Sequence, residues 1–166
     1  MLAQKYRTEI EAELAKYPPE HKRAAVMALL YLAQREYGRV TPQALEEVAA
    51  LLGLDPTQVG SLVGFYSLYH DQDGGAYRIQ ICTDLPCALR GAEAFAQALC
   101  ERLGIRLGET TPDGRITVEA VMCLAACDRA PVFQVQDRAG LRYHENQTVD
   151  SAMGLIELLR QGLADG

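Results

Sequence analysis

Nothing in the chain approaches the roughly 20 consecutive apolar residues that a bilayer crossing requires. Its first residues, M-L-A-Q-K-Y-R-T-E-I, contain no apolar core of a secretory signal. These absences point to the cytoplasm and argue against direct membrane insertion. Basic residues are also in short supply: 16 Lys and Arg face 22 Asp and Glu, a net charge of −6. Nucleic acid demands a basic face, so this balance argues against it as a partner. No G-x-G-x-x-G and no G-x-x-x-x-G-K-[ST] is present, so the chain offers no nucleotide site of its own. The G-S-L-V-G at 60–64 reads as close helix packing instead. The spacing C-x-x-C is missing too, which weighs against a thioredoxin-type active site and against a zinc knuckle. The three histidines, His21, His70 and His144, are scattered and read as solvated or capping residues rather than ligands.

What the chain does contain is five cysteines, four of them in two short pairs. Cys82 and Cys87 lie in C-T-D-L-P-C, Cys123 and Cys127 in C-L-A-A-C. In a reducing cytosol, clustered cysteines point to metal or redox chemistry rather than structural disulfides. The length of 166 residues and the hydrophobic fraction of 49% allow one ordinary domain, or a small domain with a helical appendage.

Periodicity divides the chain. Residues 1–72 read as four helices. Tyr6, Ile10, Leu14 and Tyr17 recur at helical spacing, and Pro18-Pro19 breaks that helix while Pro19 opens the next. The second helix carries Ala25, Leu29, Leu32 and Ala33 and stops at Gly38. Thr41-Pro42 starts the third, with Leu45, Val48, Ala49 and Leu52 as its stripe. Asp55-Pro56-Thr57-Gln58 starts the fourth, with Gln58 placed for a capping box. The polar, glycine-containing 71–75 segment marks a boundary. From residue 75 to 166 the pattern is strand, helix, strand, strand, strand, helix. Tyr77, Ile79 and Ile81 alternate with Arg78, Gln80 and Cys82; residues 88–103 form a helix ended by Gly104. Ile116, Val118 and Ala120 mark a second strand, Pro131–Gln136 a third and Leu141–His144 a fourth, and 149–163 a closing helix. The fold class is α+β: a helical bundle, then a small sheet with helices packed on it.

This layout puts Cys82 at the end of a strand, Cys87 just before a helix, and Cys123 and Cys127 in the loop between the second and third strands. Both pairs can meet at one end of the sheet. Four thiolates suit a [2Fe–2S] cluster, and backbone N–H groups in tight loops can stabilise its negative charge. Ala88, Ala125 and Ala126 are small enough to let the backbone come close. Zinc also takes four thiolates, and a dithiol redox pair or inert buried thiols stay open on spacing alone. Cys100, inside the helix, reads as a small buried hydrophobe. Asp84 and Asp128 flank ligand candidates; they either disfavour reduction by like charge or simply face water.

The chain resembles the thioredoxin-like [2Fe–2S] subunit of the NADH-oxidising module of respiratory complex I, whose close relatives serve NAD-linked hydrogenases and formate dehydrogenases. The resemblance rests on Y-P-P-E-x-x-R-A-A at 17–25, G-F-Y-S-L-Y at 64–69, C-T-D-L-P-C-A-L-R-G at 82–91 and V-M-C-L-A-A-C-D-R-A-P at 121–131. It implies a helical bundle followed by a thioredoxin-like domain with a small mixed sheet. It implies one [2Fe–2S] cluster held by Cys82, Cys87, Cys123 and Cys127. The implied partner is a flavoprotein subunit that binds NADH and FMN, within a larger complex peripheral to the inner membrane face. One departure stands out: the family commonly has C-L-G-x-C, and here Ala125 replaces that glycine, at a cost if the loop needs positive φ. The helical region carries no chemistry and reads as a docking element for the flavoprotein or a stabilising cap. The segment Phe65-Tyr66-Ser67-Leu68-Tyr69 reads as a partner surface or as core. A zinc-stabilised interaction module is the competing reading from another class.

Overall fold

Helical punctuation shapes the first of the two units into which the chain divides, Met1–Asp73. The computed structural model describes residues 1–162. Helices α1 (Leu2–Lys5) and α2 (Arg7–Leu14) are broken at Tyr6, whose φ/ψ of −113°/27° is non-helical. The single helix expected through Tyr17 is therefore two, and Tyr17 lies past the end of α2. Pro19 opens the next segment, but as a 3-10 helix, Pro19–Ala25, with His21 off helical geometry. The α-helix proper, α3 (Val26–Tyr37), follows and stops at Gly38. For α4 (Pro42–Leu52), Thr41 Oγ1 accepts from the Ala44 N–H at 3.1 Å. For α5 (Pro56–Phe65), Asp55 accepts from the Thr57 N–H at 2.8 Å, so Asp55 caps one residue earlier than the expected box.

Leu29, Leu30 and Ala33 of α3 meet Ala44, Val48, Ala49 and Leu52 of α4 and Val59 of α5 in one apolar core. Each fully buried Leu or Val stabilises by roughly 1.5–3 kcal/mol. Gln34 is buried with them and is satisfied: it donates to Leu68 O and accepts from the His70 N–H, both at 2.8 Å. That pair pins the stretch after α5 onto α3. Tyr69 is buried and its hydroxyl donates to Met27 O at 2.9 Å, whereas Phe65 is 79% exposed. The aromatic segment thus divides between core and surface. No single described helix is long and apolar enough to cross a membrane.

The second unit begins at Gly74. Strands β1 (Tyr77–Cys82), β2 (Ile116–Val121), β3 (Phe133–Gln136) and β4 (Leu141–His144) form one mixed sheet in the order β2-β1-β3-β4. β1 runs parallel to β2 and antiparallel to β3, and β3 pairs antiparallel with β4. The third strand starts at Phe133 rather than Pro131, because Pro131 has no N–H to give a ladder. The helix expected over 88–103 is also two: a single turn, α6 (Leu85–Ala88), and α7 (Ala92–Leu103). Gly91 separates them at φ +88°, a conformation glycine adopts without cost. The last helix, α8 (Val149–Gln161), is closed at its start by a capping box between Thr148 and Ser151. Leu163, expected on that helix, lies outside the described residues.

Ile79, Ile81, Ile116, Val118, Phe133 and Val135 pack with Phe95 and Leu99 of α7 and Ile156 and Leu159 of α8. Alternation in β1 predicts one wet face, yet Arg78 and Gln80 are as hidden as Ile79 and Ile81. Burial is tolerated because the polar groups are paired. Gln134 donates to Gln80 Oε1 at 2.6 Å, Gln80 donates to Glu119 at 3.2 Å, and Arg78 forms a short ion pair with Glu119.

Candidate metal centre

The register of the sheet carries the thiols to one edge. Cys82, the last residue of β1, lies opposite Val121, the last of β2, and its N–H donates to Val132 O at 3.1 Å just before β3. Cysteines sit where the chain leaves the sheet there, after β1 and after β2. After β1, Asp84 accepts from the Leu85 N–H at 2.9 Å and caps α6, the turn that contains Cys87. Asp84 is therefore a structural cap, a role that an aspartate one residue before Leu85-Pro86 signals. After β2, Cys123 and Cys127 lie on the 122–132 loop, with Cys127 opening a short 3-10 turn, Cys127–Arg129. Asp128 is 79% exposed and faces solvent beside Arg129.

Three of the four thiols share one small apolar cluster. Cys82 and Cys87 are wholly buried in a small cluster with Ala92, Ala130 and Val132, against which Leu124, Ala126 and Cys127 pack. Cys87 interacts with both the Cys82 and Cys127 thiols, and burial followed by those two neighbours pushes its thiol up to about 12. At neutral pH the Cys87 thiol is therefore protonated. Cys123 is not in the buried group: it is exposed, and its Sγ accepts from the Ala125 N–H at 3.4 Å. That bond depends on Ala125, which turns the loop at φ +56°. The loop does need a left-handed residue at the position where alanine stands, at a cost of roughly 1–2 kcal/mol for a side-chain-bearing residue.

The donors are soft and all of one kind, and they arrive from two loops. Among the described residues, no three Cys, His, Asp or Glu side chains gather as a single metal ion would require. His144 lies apart, stacked on Phe133 with ring centroids 5.2 Å apart. Cys100 belongs to the main sheet core, and burial raises its thiol above its ordinary value.

Residues 10–160 match the family model for thioredoxin-like [2Fe-2S] ferredoxins. The chain belongs to that family. A thioredoxin-like [2Fe-2S] ferredoxin accounts for the architecture of the second unit and for the thiols clustered at one edge of its sheet. The chain is 48% identical over 153 residues to NADH-quinone oxidoreductase subunit 2 of Thermus thermophilus, covering 92% of this chain and 83% of that protein. It is 44% identical over 154 residues to an NADH-quinone oxidoreductase subunit of Rhizobium meliloti, covering 93% and 88%. An NAD+-reducing [NiFe]-hydrogenase structure superposes with a TM-score of 0.65 over 80% of this chain and 22% of that one, at 22% identity, a likeness of fold alone.

Proposed function

We propose that this [2Fe-2S] protein is the electron-transfer subunit of an NADH:quinone oxidoreductase. In this reading it carries one cluster and exchanges electrons with a flavoprotein subunit that binds NADH and FMN. Cys82, Cys87, Cys123 and Cys127 hold the cluster. The observation that carries this reading is the meeting of Cys82, Cys87 and Cys127 in one small cluster at the sheet edge, with Cys123 two residues beyond β2. When bound, the cluster supplies a one-electron couple. The chain's own residues supply shelter and orientation: burial around Cys82 and Cys87 keeps water out, and the Ala125 N–H directs a hydrogen bond to Cys123 Sγ. Relatives named as subunits of NADH-quinone oxidoreductase, at 44% and 48% identity, support that setting. The equivalent place in an NAD-linked hydrogenase has fold likeness alone behind it. The complex would hold the protein at the inner membrane face without insertion.

Two other readings fit less well. A zinc module would draw on the same four thiols, and the family match and the relatives named as NADH-quinone oxidoreductase subunits favour the redox reading over it. A thiol redox protein needs a nucleophilic cysteine with a depressed pKa, and burial moves Cys87 the other way. The test is iron and sulfide analysis of the purified chain and of the four Cys→Ser variants taken singly. About two irons and two sulfides per chain, visible colour and an EPR signal on reduction are expected. Each replacement should lower iron content and change the spectrum. Unaltered iron and colour in the variants, or a colourless protein with one zinc, would overturn the proposal.

A further inference from the structure

The helical unit holds a surface trough that the cluster chemistry leaves unused. Its volume is about 610 Å³, and it lies between the Pro19–Ala25 segment and the α4–α5 corner. Val26, Leu54 and Leu62 give it an apolar floor; Arg23, Gln58 and Ser61 stand on its rim. Arg23 belongs to the Y-P-P-E-x-x-R-A-A segment, which the electron-transfer role does not explain. The rim residues His21, Arg23 and Ala24 are all exposed, so the feature is open along one side. A small ligand is normally enclosed over most of its surface, and a trough of this kind suits a side-chain-bearing segment of another protein instead.

Charge says which kind of segment. The helical unit has seven Lys and Arg, and five are matched by carboxylates: Lys5 with Glu36, Arg7 with Glu11, Lys16 with Glu13, Arg35 with Glu9 and Arg39 with Asp73. The two that remain, Lys22 and Arg23, are neighbours. Lys22 extends its ammonium over Gly53, where a β-carbon would sit 3.6 Å from Nζ. Gly53 ends α4, so the Lys22 ammonium lies near the negative end of that helix, one residue along the chain from Leu54 of the trough. Glu20 is the carboxylate on the lining and makes no ion pair with Arg23 among the described residues. An acidic unit thus leaves two cations without a carboxylate partner, among the described residues, together at the edge of its apolar trough.

We infer that this trough is a docking site for an acidic segment of a partner protein, whose apolar side chains fill the floor while its carboxylates meet Lys22 and Arg23. The site lies in a unit without cysteine, so the inference stands or falls separately from the assignment of the cluster. The test places a photo-crosslinking residue at Ser61 in the full chain, expressed in its native host, and identifies the crosslinked peptide by mass spectrometry. The expected product is an acidic peptide carrying Leu, Ile or Phe, and Lys22→Glu with Arg23→Glu should lower its yield about tenfold. Iron content of the same variant should not change, because both substituted side chains are exposed, and its far-UV melting temperature should fall by no more than a few degrees, from the loss of the Lys22 charge beside the end of α4. A basic or uncharged crosslinked peptide, a second copy of this chain, no crosslink, or a yield indifferent to charge reversal in a folded variant would each overturn the inference.

Discussion

In the helical unit no thiol occurs, and the core is made by helices close in sequence: Leu29 and Leu30 of α3 against Val48 and Leu52 of α4. In the sheet unit all five cysteines occur, and the core is split. A large cluster around Ile79, Phe133 and Ile156 supports the sheet, and a small one around Cys82 and Cys87 shelters the thiols. One unit spends its sequence on packing and a charged rim; the other divides its interior between support and chemistry. The difference teaches that metal retention should follow the sheet unit alone, and that damage to the helical core should read out in stability without bleaching the centre.

The sharpest way to break this comparison is a matched pair of cavities. Leu29→Ala and Leu99→Ala remove wholly buried side chains in the two units, and each should cost about 3 kcal/mol. Leu99→Ala is expected to release iron at lower temperature, followed by visible absorbance, while Leu29→Ala lowers the far-UV transition and leaves the colour in place. Equal bleaching in both variants would merge the two units into one.

A smaller effect sharpens the account of the donor loop. Ala125→Gly should raise the bleaching temperature, a gain of about 0.5–1 kcal/mol, because glycine accepts φ +56° freely. Ala125→Val should lower it by about 1–2 kcal/mol, since a β-branched residue is a true outlier there. No difference between the two would remove the left-handed turn from the account of Cys123.

The smallest effect concerns acid. Burial, with help from Arg142, lowers the pKa of His144 from its ordinary 6.5. The unfolded chain therefore binds the proton more readily than the folded one. The stability contributed by neutral His144 is present above the unfolded value and is lost as pH falls toward the lower folded value. Urea midpoints measured at about pH 7.5 and about pH 5.5 should drop for the native chain and drop less for His144→Gln. An unchanged drop would assign the acid sensitivity of the sheet unit to other groups.

Much of this was legible in the residues. The switch of period after residue 74 separated helices from strands, and Gly38, Thr41 and Gly104 marked ends that the structure keeps. The breaks at Tyr6 and Gly91 were not legible, because the apolar stripe continues across both and only backbone geometry interrupts it. The convergence of Cys82, Cys87 and Cys127 followed from placing strand ends together. The exposure of Cys123 did not, since spacing carries no information on which way a loop turns. Burial of Arg78 and Gln80 escaped alternation for a related reason: a polar face is hidden when its neighbours Gln134 and Glu119 complete its hydrogen bonds, and those partners lie 39 to 54 residues away in sequence.

The central position of β1 also orders events during biogenesis. Its two hydrogen-bonding neighbours begin at Ile116 and Phe133, far downstream of Cys82. A growing polypeptide therefore emerges from the ribosome with Cys82 and Cys87 unsheltered, and with their companions not yet synthesised. If these thiols hold the proposed cluster, its delivery belongs after translation, to a finished scaffold rather than to a nascent one.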